Sequence, residues 1–192
     1  MLALFAIEDQ IKPNSKKAIE QLKELGISTW MLTGDHEKIA EHVSQKVGIQ
    51  NFKAGLSPQE KIDFVKSLQA QFKIVGMVGD GINDSAALAQ SDVSIAMGSG
   101  SDIAKESSNM IILASDLLKV PQAIRLSKET LRTIKQNLFW AFIYNVIGIP
   151  IAAGILDPLI GYTMNPMLAG AAMALSSVSV VSNSLRLKFQ QI

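Results

Sequence analysis

Between Met1 and about Leu113, short apolar runs alternate with longer amphipathic stretches, the pattern made by the strands and crossover helices of a parallel α/β sheet. The predicted strands are Leu2 to Ile7, Thr29 to Leu32, Ile74 to Val78 and Val93 to Ala96, each bounded by Gly, Asp or Ser. Ser15 to Leu25 carries Ala18, Ile19, Leu22 and Leu25 at helical spacing and stops at Gly26. Ser57-Pro58-Gln59-Glu60 supplies an N-cap and a first-position proline for a second amphipathic helix through Phe64, Val65 and Leu68.

After Asp116 the pattern changes. A helix from Val120 to Gln136 carries Arg125, Lys128, Arg132 and Lys135, and leads into Leu138 to Leu156, a run without formal charge about long enough to cross a bilayer. A second uncharged stretch, Pro158 to Leu185, ends at Arg186 and Lys188. The expectation is an α/β domain over residues 1–118, then a linker helix and a two-helix transmembrane hairpin over 119–192, with spans at 137–156 and 167–185. Lys and Arg flank the outer ends and are missing from the turn around Asp157 to Pro166, so both ends and the α/β domain are expected in the cytoplasm. Pro150 lies where it would kink the first span, and the Ala, Ser and Gly of the second suit close helix packing.

Composition sharpens this division. The 192 residues carry a net charge of +1, yet beyond Lys135 the only formal charges are Asp157, Arg186 and Lys188. Balanced charge gives no basic footprint for a nucleic-acid partner. The absence of cysteine excludes a disulfide framework and a thiol nucleophile within the chain. Leu2 to Ile7 is too short for a secretory signal, so the N-terminus reads as that of an interrupted domain.

In open α/β sheets ligands bind at the carboxyl ends of the strands, which directs attention to three elements. Ile74 to Val78 runs into Gly79-Asp80-Gly81-Ile82-Asn83-Asp84, two carboxylates and an amide around a glycine turn, hard oxygen donors of the kind Mg²⁺ takes together with phosphate. Thr33-Gly34-Asp35 follows Trp30-Met31-Leu32 and offers a hydroxyl and backbone N–H groups to a phosphoryl oxygen, though taken singly it is equally a turn and helix cap. Lys61, four residues beyond Ser57, could neutralise a phosphate, or could be an ordinary surface lysine.

In the order strand-Thr-Gly-Asp, Pro-x-x-Lys, strand-Gly-Asp-Gly-x-Asn-Asp, these elements resemble the phosphorylation domain of P-type ATPases, within the haloacid-dehalogenase-like superfamily. The likeness continues through Ala96-Met97-Gly98-Ser99-Gly100-Ser101-Asp102-Ile103-Ala104. It implies an incomplete haloacid-dehalogenase-like, Rossmann-like parallel sheet. It also implies that Thr33 and Lys61 contact a phosphoryl group, that Gly34 and Asp35 belong to the Thr33 loop of the same site, that Asp80 binds Mg²⁺ with Asp84 nearby, and that Asn83 and Asp84 support the site. His36 stands where such proteins usually have Asn. The family's nucleophile lies in Asp-Lys-Thr-Gly-Thr, which does not occur here, and its nucleotide-binding domain, the main ATP site, is not in the chain either. The resemblance therefore implies a C-terminal part that by itself neither hydrolyses ATP nor transports.

Polar groups within an apolar span mark a pathway or a helix partner. Tyr144 and Asn145 lie in the first span, and Met173, Ser176 and Ser177 share one face of the second. A thioether favours a soft ion, but from spacing alone ordinary packing explains these residues as well. They resemble the signature of the Cu⁺-transporting P-type ATPases, whose further ligands are a Cys-Pro-Cys pair on an earlier helix. The resemblance implies a multi-pass pump in the cell membrane carrying Cu⁺, with Ag⁺ as companion, working in the lipid bilayer with the remainder of the ATPase and receiving copper from a chaperone through that remainder. Two other readings are a membrane-anchored haloacid-dehalogenase-like phosphatase, for which no Asp-x-Asp motif is found near the N-terminus, and a non-catalytic partner of a separately encoded N-terminal half.

Overall fold

The computed structural model describes residues 10–71, 74–80, 82–98, 106, 108–153 and 166–189. The chain divides into two compact units, Met1–Pro121 and Gln122–Ile192.

The first unit contains two parallel sheets. Strand β1, Trp30–Leu32, pairs with β2, Asn51–Lys53, placing Trp30 opposite Asn51 and Leu32 opposite Lys53. Strands β3, Gly76–Gly79, β4, Val93–Met97, and β5, Met110–Ile112, form the second sheet in that order. The expected strands near residues 29–32 and 93–96 are present. The one expected over 74–78 pairs later, because Val75 is engaged elsewhere: its N–H donates to Asp92 Oδ2 at 2.8 Å, and its carbonyl accepts the Asp92 N–H at 3.0 Å. Strands β2 and β5 were not expected, since Asn51-Phe52-Lys53 holds one apolar residue and Met110-Ile111-Ile112 is three residues long. The strand expected over Leu2 to Ile7 lies outside the described residues.

Helices fill the crossovers. Helix α1, Ser15–Glu24, buries Ala18, Ile19 and Leu22, and α2, Glu37–Val47, buries Ala40, Ser44 and Val47 before ending at Gly48, whose φ of 80° favours glycine. Helix α3, Pro58–Gln71, begins with a reciprocal cap: Ser57 Oγ accepts the Glu60 N–H at 3.3 Å, and Glu60 Oε2 accepts the Ser57 N–H at 2.8 Å. Val65 and Leu68 of α3 pack with Val75 and with Ala87 of the short helix α4, Ser85–Gln90, and Leu32, Ile62, Phe64 and Met77 surround them. This cluster packs α3 against α4 and the start of β3, and each fully buried Val or Leu contributes about 1.5–3 kcal/mol.

Helix α5, Lys119–Ala152, has Pro150 inside it, and helix α6, Pro166–Arg186, is followed by a 3-10 turn, Leu187–Phe189. In the second unit the two helices are joined by amides. Asn137 Nδ2 donates to Ser184 Oγ at 2.9 Å, and Asn183 Nδ2 donates to Asn137 Oδ1 at 2.8 Å and Gln136 Oε1 at 3.4 Å.

The expected spans at 137–156 and 167–185 need correction. Both stretches are helical where described, but among the described residues no helix is long and apolar enough to cross a membrane. The uncharged part of α5 opens on Gln136 and Asn137, carries Tyr144 and Asn145, and is described as helix only to Ala152. The C-terminal half of α6 carries Ser176, Ser177, Ser179, Ser182, Asn183 and Ser184. The expected turn around Asp157 and Pro158 lies outside the described residues.

Candidate functional site

The Thr33 loop is fixed by the segment after β2. The Thr33 N–H donates to the Lys53 carbonyl at 3.0 Å, extending the ladder, and its carbonyl accepts the Leu56 N–H at 3.0 Å. The Thr33 hydroxyl donates to Asp35 Oδ2 at 2.8 Å and accepts the Asp35 N–H at 3.1 Å, so threonine and aspartate close a small turn on themselves. A Cβ at Gly34 would stand 3.4 Å from the Leu56 carbonyl oxygen, at the limit of ordinary contact. His36 caps α2 through its backbone conformation, with no side-chain hydrogen bond to the helix.

The second loop leaves β3 at Gly79. Asp80 is largely exposed, and Lys12 Nζ lies 3.4 Å from its Oδ2. Gly81 is outside the described residues. Ile82–Asp84 forms a 3-10 turn leading into α4. Asp84 stands at the cap position of α4 but makes no side-chain bond to that helix. Its Oδ1 instead meets Lys61 Nζ of α3 at 2.7 Å, with side-chain exposures of 20% for Asp84 and 13% for Lys61. Asp84 fits against the strand end because residue 79 is glycine: a Cβ there would lie 3.0 Å from Asp84 Cβ and 3.1 Å from Oδ2. Asn83 is exposed.

Of the residues singled out in the sequence, Thr33 is thus joined to Asp35 and Lys61 to Asp84, while Asp80 faces Lys12. Lys12 was missed by sequence reasoning. It precedes α1 in a stretch that also holds Lys16 and Lys17, where spacing does not single out one lysine. Among the described residues β1 and β3 each pair on one side only, and each ends in one of these loops.

The donor set fits Mg²⁺ shared with a phosphoryl group. Among the described residues no group of three or more His, Cys, Asp or Glu side chains could hold a metal. Asp80 and Asp84 supply two hard oxygen donors, and Mg²⁺ characteristically takes one or two carboxylates and completes its shell with phosphate oxygens and water. Two other carboxylates are structural. The Asp92 carboxyl is held below its ordinary pKa by the Val75 N–H and then by the Gln69 side chain, and Glu60 is held low by the Ser57 hydroxyl and then by its N–H.

In the second unit Asn145 Nδ2 donates to the Ala141 carbonyl of its own helix at 2.8 Å, and Ser176 offers its carbonyl to Ser179 Oγ at 2.8 Å. Tyr144 and Ser177 are exposed, and Ser176 is half-buried. The Met173 side chain lies outside the described residues.

Residues 1–92 match the family of haloacid dehalogenase-like hydrolases. The chain is 54% identical over 186 residues to a probable copper-transporting ATPase, PacS, of Synechocystis, covering 97% of this chain and 25% of that protein. It is 53% identical over 189 residues to the copper-exporting P-type ATPase of Vibrio cholerae, covering 98% of this chain and 21% of that one. Among solved structures, a zinc-transporting PIB-type ATPase in its E2.Pi state superimposes with a TM-score of 0.78 at 33% identity, covering 94% of this chain and 28% of that one. The chain therefore spans about a quarter of the length of the curated relatives it matches. Sharing about half its residues with copper-transporting members over nearly its whole length, it belongs to the P-type ATPase family.

Proposed function

We propose that this chain forms part of an ATP-driven Cu⁺ pump, with Ag⁺ as an alternative cargo, and supplies half of the site at which an aspartyl phosphate is made and broken. The nucleophilic carboxylate and most of the ATP-binding surface would come from outside these residues. That carboxylate attacks the γ-phosphorus, the bond to the ADP oxygen breaks, and water later hydrolyses the acyl phosphate. Asp80, with Asp84 nearby, would hold Mg²⁺, which would supply positive charge against that of the phosphoryl group. Lys61 would neutralise the phosphoryl oxygens, Thr33 and the backbone at Gly34 would hydrogen-bond them, Asp35 would orient Thr33, and Asn83 would brace the turn carrying Asp84.

The observation that carries this reading is the Lys61–Asp84 pair at 2.7 Å beside the end of β3, which puts a cation and a carboxylate from separate elements in one place. Among the described residues β1 and β3 each pair on one side only, and a further parallel strand joining them would bring its carboxyl end among these groups.

The domain boundary is proposed between residues 118 and 119. The α/β unit would lie in the cytoplasm, and the second unit within the membrane part of the larger pump, packed among helices from outside this chain. Leu138, Phe139, Phe142, Val146, Ile147 and Ile149 are all more than half exposed and await such a covering. Tyr144 lies two turns, about 10 Å, beyond Asn137, and Ser176 and Ser177 lie two turns before Asn183 and Ser184. In an antiparallel pair held by the amide cluster, these groups stand at one level, where Tyr144, Asn145, Met173, Ser176 and Ser177 would contribute to the Cu⁺ path. Sequence favours copper over zinc, since the copper-transporting relatives share about half their residues with this chain and the zinc transporter a third.

The test is to isolate the native product with an antibody against this chain and expose it to radiolabelled ATP with and without Cu⁺. A product several times heavier than 20.7 kDa that takes up hydroxylamine-labile phosphate when Cu⁺ is present is expected. A native product of that small mass, unable to accept phosphate, refutes the reading.

A further inference from the structure

On helix α5, Lys128, Leu131, Arg132, Lys135, Gln136, Phe139 and Trp140 line an open groove of about 600 Å³. The three cations recur at helical spacing along one face, and all three are exposed. None has an ion-pair partner among the described residues, and the one acid in α5 is Glu129. The charge stops abruptly: after Lys135 the rest of α5 is uncharged, and the next turn carries Phe139 and Trp140 packed edge to face at 5.5 Å between ring centres. The amide cluster joining Gln136 and Asn137 to Asn183 and Ser184 brings the end of α6, with exposed Arg186 and Lys188, to the same level. Five cations thus gather at the edge of an apolar, aromatic surface.

We propose that this groove binds the headgroup of an anionic phospholipid. Lys128, Arg132 and Lys135 receive the phosphate, and Trp140 and Phe139 lie at the boundary between headgroup and acyl chains, where an amphipathic ring meets water on one side and hydrocarbon on the other. The groove needs a lipid surface and no spanning helix, and it rests on the reading that the second unit lies in or on a membrane. An acidic protein partner would satisfy the cations equally well but would not explain why the cations give way directly to the aromatic pair.

Trp140 reports on the site directly. With Trp30→Phe removing the other tryptophan, the chain is incorporated into vesicles containing equal fractions of phosphatidylglycerol and phosphatidylcholine, one or the other brominated near the headgroup. Brominated phosphatidylglycerol is expected to quench Trp140 with a relative binding constant on the order of thirtyfold above that of brominated phosphatidylcholine, equivalent to the attraction of two surface cations. High salt is expected to shrink that preference. The triple variant Lys128→Gln, Arg132→Gln, Lys135→Gln is expected to abolish it while keeping the helical circular dichroism. Equal quenching by both lipids overturns the headgroup site and leaves the membrane reading standing. No quenching by either overturns both.

Discussion

Separating Lys61 from Asp84 is expected to destabilise the first unit, and restoring neutrality is expected to recover much of the loss. The partners lie 2.7 Å apart with side chains 13% and 20% exposed, well beyond an ordinary surface pair. Two unit charges about 4 Å apart attract by about 4 kcal/mol at an effective dielectric of about 20, and these atoms are closer. Desolvation of both groups offsets most of that, leaving a coupling of about 1–2 kcal/mol. Lys61→Met strands a mostly buried carboxylate and is expected to cost about 2 kcal/mol, while Asp84→Asn costs somewhat less because an amide can still accept from the ammonium. The double variant is expected to lie closer to wild type than the sum of the singles. The assay is urea unfolding followed by Trp30 fluorescence in a Trp140→Phe background, since Trp30 packs 5.3 Å from Phe64 on the helix that carries Lys61. Additive single effects would refute the pairing and remove the central geometric support for the phosphoryl site.

Gly79→Ala is expected to lower stability by about 1–3 kcal/mol and to weaken divalent binding, because the new methyl would lie 3.0 Å from Asp84 Cβ; titration of Mn²⁺ by electron paramagnetic resonance reads the second effect. Lys12→Met is expected to leave unfolding within about 0.5 kcal/mol, as the pair with Asp80 is exposed, yet to tighten Mn²⁺ binding on the order of fivefold by removing a competing cation; weaker binding would show that Lys12 serves the ligand instead. The lowered pKa values of Asp92 and Glu60 give stability that is complete above their unfolded values, about pH 4, and is lost as pH falls through the lower folded values. Acid titration of the unfolding midpoint is therefore expected to show a shallower fall in Asp92→Asn than in wild type.

The parts of the fold visible in the sequence are those whose signals are local. The Ser57-Pro58-Gln59-Glu60 cap and the Gly26 stop place α3 and α1 because capping and helical spacing act within a few residues. Strand β2 stayed hidden because three residues with one apolar side chain carry no alternation, and its pairing with β1 is a tertiary matter. The start of β3 was misplaced because Asp92, seventeen residues on, engages Val75. Thr33, Lys61, Asp80 and Asp84 were legible as an ordered motif, but who meets whom was not: Asp84 turns from its helix cap to Lys61, and Lys12 reaches Asp80 across 68 positions. In the second unit, absence of charge overstated the apolarity of helices rich in Asn and Ser, whose amides serve to join one helix to the other.

The most direct test of the proposed phosphoryl site is a graft. The matching segment of the Vibrio cholerae copper-exporting ATPase, 53% identical over 189 residues, is replaced by this chain, and phosphoenzyme formed from ATP is measured in membranes with and without Cu⁺. The proposed site requires the graft to form Cu⁺-dependent, hydroxylamine-labile phosphoenzyme, and requires Asp80→Asn and Lys61→Met each to abolish it or slow it by at least about a hundredfold. A graft that inserts and binds nucleotide but forms no phosphoenzyme, or one phosphorylated equally well in both variants, would contradict it.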